Sequence, residues 1–181
     1  MIFKEGHQYH IYNRGNNSET TFFTQANYHF FQHKIRQYLL PYADVLAWCF
    51  MPNHFHLMVQ INQTERIIET IPKTKTRTIN DSIAIMLRSY AQAINKQEGR
   101  SGSIFQEGTK AVCLTNNEKI NPSWLTLTGV TAYTQHRVEQ MYPVVCMKYI
   151  HANPVKAGLV SNMEKWPHSS YAEYLGIRES K

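Results

Sequence analysis

ADVLAWCFMPNHFHLMVQI, residues 43–61, decides the fold. The apolar run 43–51 is short and ends at a turn, which marks a buried strand rather than a helix. Pro52-Asn53 is a tight turn, and residues 54–61 return as the hairpin partner. Side chains alternate across a strand, so Phe55, Leu57, Val59 and Ile61 share a wholly apolar face that must meet a core. His54, His56, Met58 and Gln60 share the opposite face. The two imidazoles then stand about 7 Å apart at Cα, close enough to hold one metal ion from a rigid element. A bare His-x-His is more often a pair of partly exposed polar residues on the wet side of a sheet, so a third group is needed to change the reading.

Outward from this hairpin, QYHIYNR (8–14) alternates and is rich in strand formers. GNN turns the chain. Residues 25–40 carry Phe30, Phe31, Ile35, Tyr38 and Leu39 at helical spacing, and Pro41 ends that helix. PKTKTRT (72–78) reads as a basic, polar loop. Asn80 or Asp81 can cap a helix running to about Gln97, with Ile83, Met86, Leu87, Tyr90 and Ile94 on one face. EGRSGS (98–103) is a glycine-rich break, and TKAVCLT (109–115) reads as a strand. Residues 116–140 show no legible pattern. YPVVCMKYIHANP (142–154) reads as a helix with Pro143 at its first turn and Pro154 as its stop. WPHSSYAEYLG near the end suggests a turn and a short helical piece. Hairpin signals outweigh βαβ units, so the expected class is α+β: an antiparallel sheet covered by helices.

The chain has 181 residues, which suits one domain over 1–181. No run of eighteen apolar residues exists, so no membrane partner is expected. The N-terminus lacks the apolar segment of a secretory signal. Cys49, Cys113 and Cys146 are far apart and form no CxxC pair, which argues against a zinc or disulfide framework and fits the cytoplasm. A net charge of +6 favours a polyanionic partner, and eleven tyrosines suit stacking on unpaired bases as well as core packing.

KYIHANPVKAG (148–158) supplies the further groups. Tyr149 and Asn153 lie four apart in a helix and therefore on one face. Alone, such a tyrosine usually packs, and an Asn before Pro usually ends a helix. The combination is more specific. MPNHFHLMV followed downstream by YIHANPVKAGLV resembles the single-tyrosine HUH transposases of insertion sequences, and is closest to their REP-associated tyrosine transposase branch. YHIYNRGNN (9–17), GRSGSIFQE (99–107) and WPHSSY (166–171) fit the same branch in the same order; only about 114–140 has no counterpart.

The resemblance implies a ferredoxin-like sheet with flanking helices. It implies His54 and His56 as metal ligands, Asn153 as the third polar residue at the metal, and Tyr149 as the nucleophile. It also implies cleavage of single-stranded DNA near a hairpin. The family often carries an arginine after FQE, where this chain has Gly108 and Thr109; Lys110 is the substitute at hand. Mg²⁺ or Mn²⁺ is the expected cofactor, since imidazole, amide oxygen and phosphate make a mixed, thiolate-free site. Such a site gives a metal-dependent tyrosine transposase or nickase that works through a 5′-phosphotyrosine and a free 3′-hydroxyl. A phenol needs help to ionise, and His151 or Lys148 could assist. Candidate DNA contacts are Arg14, Asn16, Asn17, Lys73, Lys75, Arg77, Arg100 and Lys110. A homodimer is compatible with the family. Two alternatives stay open: a hairpin-binding protein that keeps the fold without catalysis, and a metal nuclease using water in place of Tyr149.

Overall fold

The computed structural model describes residues 1–70, 73–115 and 135–179. Four strands build the main sheet: β1 (Gln8–Arg14), β2 (Ala43–Met51), β3 (His54–Ile61) and β6 (Lys110–Cys113). Their order across the sheet is β2-β3-β1-β6, and every neighbouring pair is antiparallel. With α1 (Gln25–Tyr38) after β1 and α2 (Ile79–Gln97) before β6, this is the βαββαβ pattern of a ferredoxin-like sheet. The α+β expectation is met.

The period-two pattern of β3 sends Phe55, Leu57, Val59 and Ile61 into one core, where all four are fully buried. α1 and α2 cover that face. Phe31 of α1 sits at its centre, with ring centroids 5.0 Å from Phe55 and 5.0 Å from Tyr90. Each covering helix is started by its own sequence. Thr24 and Asn27 form a capping box for α1, and Thr78 and Asp81 form one for α2. The cap of α2 is thus Thr78, two or three residues before the expected Asn80 or Asp81, with Asp81 at the third helical position.

The opposite face is not wet. α3 (Gln135–Lys156) lies across it and closes a second cluster of Ala47, Cys49, Met51, Met58, Leu114, Cys146 and Ile150. α3 starts before Pro143 and passes through Pro154, so neither proline bounds it as the sequence suggested. Pro154 is tolerated because it stands in the last turn, where few helical hydrogen bonds follow. It still deprives the Ile150 carbonyl of its i+4 donor. The Asn153 amide nitrogen fills in, donating to the carbonyls of Tyr149 (2.8 Å) and Ile150 (3.4 Å).

Of the stretch 72–78, residues 73–78 are not a loop, and Pro72 lies outside the described residues. β4 (Glu65–Thr70) and β5 (Lys73–Thr78) form a two-stranded antiparallel ribbon between β3 and α2. Alternation of threonines and cations is a strand pattern once a partner exists, and ERIIET supplies that partner. Near the C-terminus, residues 168–170 run beside β2, with Phe50 N–H donating to His168 and Ser170 N–H to Trp48. The short helix α4 (Tyr171–Tyr174) follows. This tail covers an otherwise open sheet edge. Among the described residues, no helix is long and apolar enough to cross a membrane.

Candidate active site

The site forms where the start of β3, the end of β1 and the last turns of α3 meet. Register sets it: Tyr12 lies opposite His56 and Arg14 opposite His54. Directly opposed residues point to the same side, so Arg14, Tyr12, His54 and His56 share the face that α3 covers. The turn at Pro52-Asn53 is fixed from outside. Gly15 N–H donates to the Asn53 carbonyl at 2.7 Å, and Thr21 and Phe22 N–H both donate to Pro52. Position 15 must be glycine, since a Cβ there would collide with the Glu19 carbonyl. Asn17 and Ser18, with φ of 52° and 61°, hold the next turn in the left-handed region. The resulting loop accepts a hydrogen bond from the Asn53 side chain at the Ser18 carbonyl. The NRGNN motif therefore acts as a brace for the histidine hairpin.

The two imidazoles differ. His54 Nδ1 lies 2.6 Å from the Asn53 side-chain oxygen, and the ring is half-buried. His56 is 5% exposed, and its Nε2 is buried with no hydrogen-bond partner. The rings are perpendicular, with centroids 5.0 Å apart. Burial pushes His56 down to about 3, helped by neighbouring His10 and His54. Burial also lowers His54, and the Arg14 guanidinium adds to the effect. Both rings are therefore neutral at pH 7 and can offer lone pairs.

Tyr149 stands over this pair. Its ring meets His56 edge-on at 5.5 Å and His10 at 6.1 Å, while the residue stays 43% exposed. The Lys156 ammonium, two turns on, lies 5.0 Å from the Tyr149 ring centre. Tyr149, His54, His56, Arg14, Gly108 and Lys110 all line one cavity of about 340 Å³. Gly108 has φ +73°, a conformation that disfavours the arginine expected there, and Lys110 from β6 brings a cation to the same wall. A groove along α2, lined by Asn80, Arg88 and Asn95, continues from the cavity past Asn13, Gln106 and Gly108.

The remaining sequence candidates are placed elsewhere. Asn153 does not line the cavity; its amide nitrogen is bound to its own helix. Asn16 donates to the Ser103 carbonyl and ties two loops together. Arg100 pairs with Glu19 at 2.7 Å. Lys75 and Arg77 lie on the ribbon, and the Lys73 side chain falls outside the described residues. His151 is buried on the far side of α3, 2.8 Å from the Ser170 hydroxyl, and Lys148 is exposed. Sequence reasoning missed His10 and Lys156. The alternation of QYHIYNR places His10 on the Tyr12 and Arg14 face, but only the strand pairing sets it beside His56.

Among the described residues, no three His, Cys, Asp or Glu side chains surround one point. A cation here would take His54 and His56 from the protein and oxygens from elsewhere. The residues present fit that role, because a neutral imidazole with an orphaned buried nitrogen lacks only a partner.

The model of the IS200-like transposases matches residues 3–120, the whole sheet with its histidine hairpin. The chain belongs to that family. The matched span ends before α3, so Tyr149 of this IS200-like transposase stands on its geometry. Among solved structures, the REP-associated tyrosine transposase bound to a REP hairpin shares the fold: TM-score 0.57, 15% identity, covering 97% of this chain and 83% of that one. No curated protein matches the chain.

Proposed function

We propose that this IS200-like transposase cleaves and rejoins single-stranded DNA beside a hairpin, with Tyr149 as nucleophile. The observation that carries the reading is Tyr149 at 5.5 Å from His56 in one cavity with two cations, Arg14 and Lys110. The fold likeness to a REP-associated transposase bound to a REP hairpin supports the choice of a hairpin substrate of that branch.

Arg14 and Lys110 bind the nonbridging oxygens of the scissile phosphate and hold phosphorus near the Tyr149 hydroxyl. Tyr149 Oη attacks phosphorus as the bond to the 3′-oxygen breaks. The phenol proton passes to solvent, and the departing 3′-oxygen takes up a proton. The products are a 5′-phosphotyrosine and a free 3′-hydroxyl. A 3′-hydroxyl attacking the phosphotyrosine reverses the step, so strands rejoin without an outside energy source. Mn²⁺ or Mg²⁺ held by His54 and His56 would supply charge withdrawal from the same oxygens. Asn153 is not counted in this set, since it does not line the cavity.

The test is incubation of the protein with 5′-extended DNA hairpins and Mn²⁺, followed by a denaturing gel. A covalent protein–DNA band that depends on Tyr149 is the expected result. Hairpin binding without a band would leave the binding-only alternative, and cleavage without a band would point to water as nucleophile. Either outcome overturns the proposal.

A further inference from the structure

His10 is the third imidazole of the site, and nothing in the proposed chemistry uses it. Its Nε2 lies 2.9 Å from His56 Nδ1, and the two rings stack with centroids 5.0 Å apart. Tyr12 flanks both rings, at 4.8 Å from His10 and 5.8 Å from His56. Only one proton can sit between two neutral imidazoles. If His56 carries it on Nδ1, its Nε2 is a lone pair. If His10 carries it on Nε2, then His56 Nε2 bears a hydrogen. Either way His56 Nε2 is buried and has no partner in the protein. An orphaned nitrogen in a cavity wall is explained by a ligand, and its proton state decides which ligand.

We propose that His10 is a positioning residue that accepts the His56 Nδ1–H and so presents the His56 Nε2 lone pair to a divalent cation. The inference rests on reading His54 and His56 as the cation's holders. His10 stands behind His56: its Nε2 is committed to that ring, and it does not line the cavity that His54 and His56 share. It performs the task that a carboxylate or carbonyl performs behind many metal-bound histidines: it fixes tautomer and ring angle. An imidazole in that place adds no charge, so the pocket keeps its attraction for a phosphate. The strand pairing explains how the contact arises. His10 lies opposite Met58, two residue pairs along from Tyr12 and His56, and so reaches His56 diagonally on the shared face.

The first measurement is the tautomer of His56 in the metal-free wild-type protein, by long-range ¹H–¹⁵N correlation of the histidine rings. The expected state carries hydrogen on Nδ1; hydrogen on Nε2 overturns the proposal. The second is titration with Mn²⁺ alone, by calorimetry or by loss of the free-ion electron-spin resonance signal. His10→Phe keeps a flat ring and removes the acceptor, and should weaken Mn²⁺ roughly 10- to 100-fold. His10→Gln keeps an oxygen acceptor near the Nε2 position and should restore most of the affinity. Circular dichroism checks that each variant is folded, and the tautomer measurement needs no variant. Equal Mn²⁺ affinity in wild type and folded His10→Phe overturns the proposal, as does a wild type without Mn²⁺ affinity. Failure of the covalent-adduct experiment leaves both readouts intact, so the two readings fail separately.

Discussion

Two tyrosines on helices show how surroundings assign a role to one residue type. Tyr90 is fully buried, its ring 5.0 Å from Phe31, and its hydroxyl donates to the Thr21 carbonyl at 2.8 Å. Burial raises its phenol far above the ordinary value. It cannot ionise there and has no route to a phosphate. Tyr149 is half-exposed beside neutral imidazoles and a lysine. Tyr149→Phe should therefore abolish the covalent adduct while hairpin binding and the melting temperature stay near wild type. Tyr90→Phe should keep the adduct and lose about 1 kcal/mol of stability, read by denaturant titration. An adduct formed by Tyr149→Phe would refute the assignment. Lys156 is the residue-scale addition. Lys156→Met keeps the stem over the ring and removes the charge, and should slow adduct formation without weakening hairpin affinity by more than about one phosphate contact. The check is the single-turnover rate beside the binding constant.

At the scale of elements, the ribbon and the docked tail each carry a prediction. In the β4–β5 register Arg66 lies opposite Arg77 and Ile68 opposite Lys75, so among the described side chains three cations share one face. Glu65 and Ile67 take the other face with Thr76 and Thr78. The Tyr42 hydroxyl anchors the ribbon by donating to the Arg77 carbonyl at 3.1 Å. Such a face suits sequence-independent phosphate contacts. Neutralising Arg66, Lys75 and Arg77 to Gln should lower the slope of log affinity against log salt by up to about three, for hairpins of any stem sequence. An unchanged slope would remove the ribbon from the interface. The tail is held by His151, whose ring lies among Ser170, Tyr171 and Tyr174. Burial lowers His151 to about 4 from 6.5. The unfolded chain therefore binds the extra proton first. Stability is full above about pH 6.5 and is lost as pH falls from there toward 4. The melting temperature should drop over that window, and His151→Gln should flatten the drop; an identical profile in the variant would exclude His151.

For the whole molecule, the two helical layers determine what the site can be. α1 and α2 make a rigid floor for the hairpin, and α3 turns the other sheet face from a wet surface into a cavity. Aromatic rings exposed near it, Tyr142 and Tyr149, can stack on unpaired bases but not on bases within a duplex. A hairpin with a single-stranded 5′ flank should thus bind more tightly than blunt duplex of equal length, with affinity falling as salt rises. Equal affinities across a salt titration would count against this substrate.

The sequence by itself determined what depends on neighbours along the chain. Period-two alternation fixed which side of β3 is core, the 3.6 period placed α1 and α2, and Pro52-Asn53 closed the hairpin. Together with the flanking motifs, these residues made the family legible. Local signals failed where a distant partner decides. The basic stretch 73–78 became a strand because residues 65–70 pair with it, and a strand's partner is not encoded in its own residues. Pro143 and Pro154 looked like boundaries, yet tertiary packing holds α3 through both, with the Asn153 amide reaching the Ile150 carbonyl that Pro154 leaves open. Asn153 itself does not line the cavity, as no spacing rule could foresee. Only pairing of β1 with β3 sets His10 against His56, and only α3 lying across the sheet leaves His56 buried with its Nε2 short of one partner.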